Sequence, residues 1–194
     1  MACGEPTRRI TCQTGDVFHF LADRPVLDFL ATIAERGTTD EEKLQQPGDF
    51  GDWAAECGVT TNRISVSPDQ LAHAVAVREA IYRTLGAVTD RTAPRRQDVD
   101  LINQAAQPPR PVPRLTRSGA VTRDGNLEAV LAVLACDCIE LIHGPDRELL
   151  RRCDDPKCTR LYVDRSRGRR RRWCGMQGCG NRAKAARYRR RRRS

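Results

Sequence analysis

Two short cysteine pairs constrain this chain more than any other feature. Cys153 and Cys158 enclose four residues, fifteen more follow, and Cys174 and Cys179 enclose another four. The first pair surrounds Asp154-Asp155-Pro156-Lys157, a turn-forming run that folds both sulfurs toward one point. Residues 151–194, which carry both pairs, hold eighteen Lys/Arg against three Asp/Glu, a net +15 in a chain of +9. The first 150 residues are therefore at −6, with sixteen basic and twenty-two acidic side chains. A basic tail on a mildly acidic body is the asymmetry of a polyanion binder with a separate regulatory or assembly part.

Two cysteine pairs separated by a longer loop are the common plan of a structural zinc site. A catalytic zinc keeps a position open, whereas Cys153, Cys158, Cys174 and Cys179 make a closed set of four. One structural Zn2+ is the expected cofactor, ahead of an iron–sulfur cluster. A segment this polar has too little apolar surface to build a core, and metal binding supplies on the order of 10 kcal/mol of folding free energy. The other five cysteines stay outside the set. Cys3 and Cys12 lie in a polar N-terminus with no near partner, and Cys57 closes a helix. Cys138 falls on the apolar face of a helix, and Cys136, two residues away, points elsewhere. His143, alone at a helix end, is a favourable C-terminal charge rather than a ligand.

The body reads as mainly α within an α+β chain. Residues 1–16 are a flexible end, 17–147 a helical domain with one short β-hairpin, and 148–194 a small four-cysteine zinc finger that ends in a basic helix. Apolar residues predict a short helix over Pro25–Arg36, capped by Asp23, and a second through Trp53 to Cys57, capped by Asp49 and closed by Gly58. Ser67-Pro68-Asp69-Gln70 is a capping box that opens a helix of about five turns. Gln97–Ala106 is a weaker helix, stopped by the prolines at 108, 109, 111 and 113. Arg114–Asn126 alternates around Ser118-Gly119 as a hairpin, and Leu127–His143, capped by Asn126, is the clearest helix.

No stretch approaches the roughly 20 apolar residues of a membrane span, and the N-terminus lacks the apolar core of a signal peptide. The expected place is the cytoplasm, where thiols stay reduced or bind metal. Paired carboxylates, a Ser/His or Cys/His grouping, a Walker loop and a dinucleotide fingerprint are all missing, so an enzyme is the weakest class.

The ordered run Asp164-Arg165-Ser166-Arg167, Arg171-Arg172-Trp173-Cys174 and Cys179-Gly180-Asn181-Arg182-Ala183-Lys184 resembles the CGNR zinc finger over nearly all of residues 150–190. Pro25-Val26-Leu27-Asp28-Phe29 and the Trp53-Ala54 helix are similar to the opening of the ABATE domain that usually precedes that finger. That domain is described as a stress-induced transcription regulator, although asparagine is usual there where this chain has Ala31. The resemblance implies a bacterial DNA-binding regulator.

Lys and Arg that neutralise phosphates release counterions, which gives tight, salt-dependent binding. Arg169, Arg170, Arg171 and Arg172 form the expected phosphate-gripping run, with Arg165 and Arg167 beside it. The helix after Cys179 is the expected base reader, with Asn181, Lys184 and Tyr188 on one stripe and Arg182, Arg189 and Arg193 on another. Arg187 and Arg190 extend its charge, and Ala183 and Ala186 form a small sector facing the zinc knuckle. Asn181 reads equally as a support of the finger, and Trp173 as part of its small core. DNA is the expected partner. Single-stranded RNA stacking on Tyr162, Trp173 and Tyr188 is one alternative. Docking on RNA polymerase or another transcription protein is the other. A small-molecule effector is compatible with the apolar helices, but no convergent polar set marks its place.

Overall fold

The computed structural model describes Phe18, Phe20 and residues 23–192. The expectations for residues 1–16, for Cys3 and Cys12 and for Arg193 lie outside the described residues. Among the described residues six α-helices run in chain order: α1 (Pro25–Leu30), α2 (Pro47–Glu56), α3 (Pro68–Thr89), α4 (Arg96–Ala105), α5 (Leu127–His143) and α6 (Asn181–Arg191). Three antiparallel two-stranded ribbons lie between them: β1–β2 (Ile33–Ala34, Glu41–Glu42), β3–β4 (Pro113–Leu115, Val121–Arg123) and β5–β6 (Leu150–Arg152, Leu161–Val163). The chain is mainly helical with a small finger at its C-terminal end, as expected.

The long helices begin where their capping chemistry puts them. The Ser67 hydroxyl accepts from Gln70 N at 3.2 Å, and the Gln70 side-chain Oε1 accepts from Ser67 N at 2.9 Å. Asn126 Oδ1 accepts from Ala129 N at 3.0 Å to start α5. Along α3, Ala74, Val77, Ile81 and Leu85 are buried, and along α5 Val130, Leu131, Leu134, Cys138 and Leu141 are buried. These stripes pack α3 against α4 and α5, while α1 lies on α5. Phe29, Phe50 and Trp53 close the core around α1 and α2, with Phe29 and Phe50 edge to face at 5.9 Å.

Two helices differ from expectation. The first helix ends at Leu30, not Arg36, because Ile33–Ala34 leaves it to pair with Glu41–Glu42. Its first turn is held by α5: Asp137 Oδ2 accepts from Val26 N at 2.9 Å, and Arg24 donates to Asp137 Oδ1. Asp23, expected as the cap, pairs with Arg165 instead. The second helix starts at Pro47, and Asp49 reaches back from inside it to accept from Gln45 N and Gln46 N, both at 2.8 Å. Gly58, with φ +76, ends that helix as read.

A buried cation ties β2 to α3. Arg78 is 1% exposed, and its guanidinium donates to both Glu42 oxygens at 2.8 and 2.6 Å, to Glu79 at 2.9 Å and to the Thr32 hydroxyl at 2.9 Å. Burial alone would weaken its protonated form, but the two carboxylates hold its pKa above the ordinary value.

Candidate metal centre and nucleic-acid interface

The strand β6 faces two cores at once. Successive side chains of a strand point to opposite sides. Leu161 and Val163 therefore pack with Leu150 on the helical body, while Tyr162 packs with Cys153, Cys174, Cys179 and Trp173. The ribbon β5–β6 carries the first cysteine pair between its strands, and the loop after β6 leads to the second.

Within this frame the four sulfurs of Cys153, Cys158, Cys174 and Cys179 lie within 4.8 Å of one another. Cys158 Sγ is 3.7 Å and Cys179 Sγ 3.6 Å from Cys174 Sγ. A tetrahedron of Zn–S bonds of ≈ 2.3 Å requires sulfurs about 3.8 Å apart, so the two close pairs already match the ion within a set no wider than 4.8 Å. Without a cation such crowding lets one thiol ionise at the expense of its neighbours. Hydrogen bonding with Cys174 lowers the Cys158 thiol to about 5. The same bond, with burial, raises Cys174, and burial pushes Cys179 up to about 12. A divalent ion relieves that conflict, since it binds the thiolates and releases their protons.

The backbone fixes both knuckles. Cys158 N donates to Asp155 O at 2.8 Å, Cys174 N to Cys153 Sγ at 3.4 Å, and Gly180 N to Gly175 O at 3.0 Å. Met176–Gly180 forms a single π-helical turn, so Cys179 sits just before α6 rather than on its first turn. Asp155, 8% exposed, accepts from Lys157 N at 3.1 Å and from Arg182 Nε at 2.8 Å. Arg182 also donates to Cys179 Sγ at 3.1 Å. Its positive charge therefore stands against a ligand thiolate, and its own pKa is raised, first by the bond to Asp155.

Asp164, wholly buried, builds the loop after β6. One oxygen accepts from Ser166 N at 3.0 Å and from the Ser166 hydroxyl at 2.6 Å, the other from Arg171 N at 3.0 Å. Burial by itself would raise this carboxyl, but those bonds together hold it below its ordinary value. Between the two anchored ends the chain turns through Gly168 and Arg169, at φ +81 and +50.

The structure divides the expected nucleic-acid residues by what already holds them. Arg171 lies 4.6 Å from the Tyr162 ring, donates to Trp173 O at 2.8 Å and also donates to Cys174 O. Tyr162 in turn donates its hydroxyl to Arg171 O at 2.6 Å. Arg172 pairs with Asp154 at 2.7 Å and covers Trp173. Arg165 bridges Asp23 and Asp146, joining the finger to the body. Asn181 donates to Gln177 O at 3.1 Å, and Arg182 serves the zinc site. These five side chains hold the finger together. Arg167, Arg169 and Arg170 in the loop, and Lys184, Arg187 and Arg189 on α6, are exposed and without an ion pair among the described residues. Tyr188 is exposed with Arg192 stacked on it at 4.9 Å, and Arg190 is exposed nearby. Ala183 is half-buried, but Ala186 is exposed, so the expected small sector does not press on the knuckle.

Four convergent thiolates, closed knuckles and an arginine against one sulfur define a structural zinc finger holding one Zn2+. Residues 149–192 match the CGNR zinc finger, and residues 23–145 match ABATE, "Putative stress-induced transcription regulator". The chain belongs to the ABATE family and ends in a CGNR zinc finger. None of the curated proteins compared matches it. No helix among the described residues is long and apolar enough to cross a membrane.

Sequence reasoning missed Asp155, Asp146 and the division of the arginines. Asp155 was legible as a turn former in the first knuckle, but its bond to Arg182 joins positions 27 residues apart. Only the fold brings that pair together.

Proposed function

We propose that the chain is a cytoplasmic transcription regulator that binds duplex DNA through its finger, with the helical body at 17–147 as the sensing or assembly part. One observation carries the reading. Once Asp154, Asp155 and the body's Asp23 and Asp146 have engaged Arg172, Arg182 and Arg165, six of the expected contact residues stand exposed and without an ion pair among the described residues. The loop cations Arg167, Arg169 and Arg170 suit the phosphate backbone. Lys184, Arg187 and Arg189 project from a helix none of whose residues is buried, which leaves it free to enter a groove. Asn181 and Arg182 stabilise the start of that helix, so base reading falls to positions from Lys184 onward, with Tyr188 and Arg190. Its chemistry is binding, with no catalytic step.

The three loop arginines, each neutralising one phosphate, contribute about −3 to the log K against log [salt] slope on B-DNA. Genome-wide footprinting of the intact chain beside a variant with all four finger cysteines changed to serine tests the reading. Discrete sites lost in the variant support it. Diffuse binding that persists in the variant, or preferential capture by single-stranded RNA, overturns it.

A further inference from the structure

The sequence marks no ligand pocket, but the fold makes one between the body and the finger. A cavity of ≈ 620 Å³ lies between the α1–β2 segment and both zinc knuckles, a volume ordinary for a small-molecule site. Cys158, Cys174 and Cys179 border it from the finger side, so three of the four zinc ligands form part of its wall. Met176 supplies exposed apolar surface, with the buried Phe18 and Trp53 behind the body wall.

The charges of this wall select the ligand. Asp28, Glu35 and Glu41 face the cavity from the body, with Lys43 beside them and Arg160 and Arg182 from the finger. Arg182 is engaged by Asp155 and Cys179. A zinc ion held by four thiolates carries a formal excess of two negative charges, so the loaded site adds to the carboxylates. The wall's three carboxylates and three cations balance, so with zinc bound the cavity is net acidic through the thiolate site, beside a finger of strongly positive charge. Carboxylates set among apolar and sulfur-bearing walls favour an organic ammonium through ion pairing.

We propose that this junction cavity binds a small organic cation, an amine or guanidine on an apolar body, and that the bound molecule clamps the zinc knuckles against the body. The cavity touches the Cys158-Thr159-Arg160 turn, and the same turn already meets the body, where Arg36 N donates to the Thr159 hydroxyl at 3.3 Å. A ligand spanning both walls adds to that joint and restrains the thiolates from opening. The effector role rests on the reading of the chain as a DNA-binding regulator; the binding site does not.

Calorimetry on the zinc-loaded full chain with tryptamine as probe, and indole-3-acetate as its anionic counterpart, tests the site. The expected result is tryptamine binding at least about tenfold tighter than indole-3-acetate, and weakened about tenfold in Glu35→Gln/Glu41→Gln. Ala34→Phe fills the cavity and should abolish binding while zinc content stays at one per chain. Saturating tryptamine should also slow zinc transfer to a chelator. Absence of tryptamine binding, preference for the anion, undiminished binding in Ala34→Phe, or unchanged zinc transfer would overturn the proposal. A chain that passes these tests but binds no duplex DNA would refute the regulator reading and leave the site standing.

Discussion

The body and the finger solve the same problem with opposite materials. In the body, aliphatic stripes on α3 and α5 and the Phe29–Phe50–Trp53 group leave water together, each large side chain contributing about 1.5–3 kcal/mol. The finger's own buried cluster is Tyr162 and three cysteines, with Cys158 and Trp173 at its edge. It is held instead by a metal-ready sulfur set and by charged groups with several partners each, namely Asp155, Asp164, Arg171 and Arg182. The difference teaches what each region can present outside. A core of hydrocarbon leaves the surface composition unconstrained. A core of metal and hydrogen bonds lets a short segment of very high charge fold at all, while still leaving cations free.

The comparison breaks in graded ways. The largest effect is expected from Cys174→Ser, which removes a ligand and with it most of a metal contribution on the order of 10 kcal/mol. Zinc content measured on the purified variant should fall to zero, and the thermal unfolding of the helices should survive. Next is Glu42→Ala, which strips the buried Arg78 of its bidentate partner and should cost the body about 3 kcal/mol. Denaturant unfolding should register that loss with zinc content unchanged. Smaller still is Arg182→Ala, which exposes the Cys179 thiolate and leaves Asp155 unpaired. Competition with a chelator should show zinc held roughly 10- to 100-fold more weakly, and Arg182→Lys should restore only part of it. The least effect on stability belongs to the triple change Arg167→Ala, Arg169→Ala and Arg170→Ala. Unfolding should be unaltered, while the salt slope of duplex binding should become shallower by about 3.

How much of this was legible in the sequence follows the same division. The ligand set was readable because metal coordination ties function to spacing, and the helix caps at Ser67 and Asn126 were readable because their partners lie three residues away. The end of α1 was not, since Ile33–Ala34 leaves the helix for a strand partner in the next loop. Nor was the fate of the arginines. Arg171 and Arg172 look like Arg169 and Arg170 along the chain, and only Tyr162, Trp173 and Asp154 in space distinguish them. The junction cavity was invisible for the same reason, as its two walls lie more than a hundred residues apart.

The division also sets where the molecule should come apart. Leu150 and Leu161 belong to the body's core although they flank the first knuckle, so removal of metal should stop at the ribbon β5–β6. Amide hydrogen exchange on the full chain, with and without a zinc chelator, measures this directly. The account predicts that chelation abolishes protection at Cys158, Ser166, Arg171 and Gly180, whose N–H groups the finger's own bonds hold, while α3 and α5 exchange as before. Protection that persists across these finger amides after the metal is gone, or that collapses in α3 and α5 along with it, would contradict a finger ordered by zinc on an independently stable body.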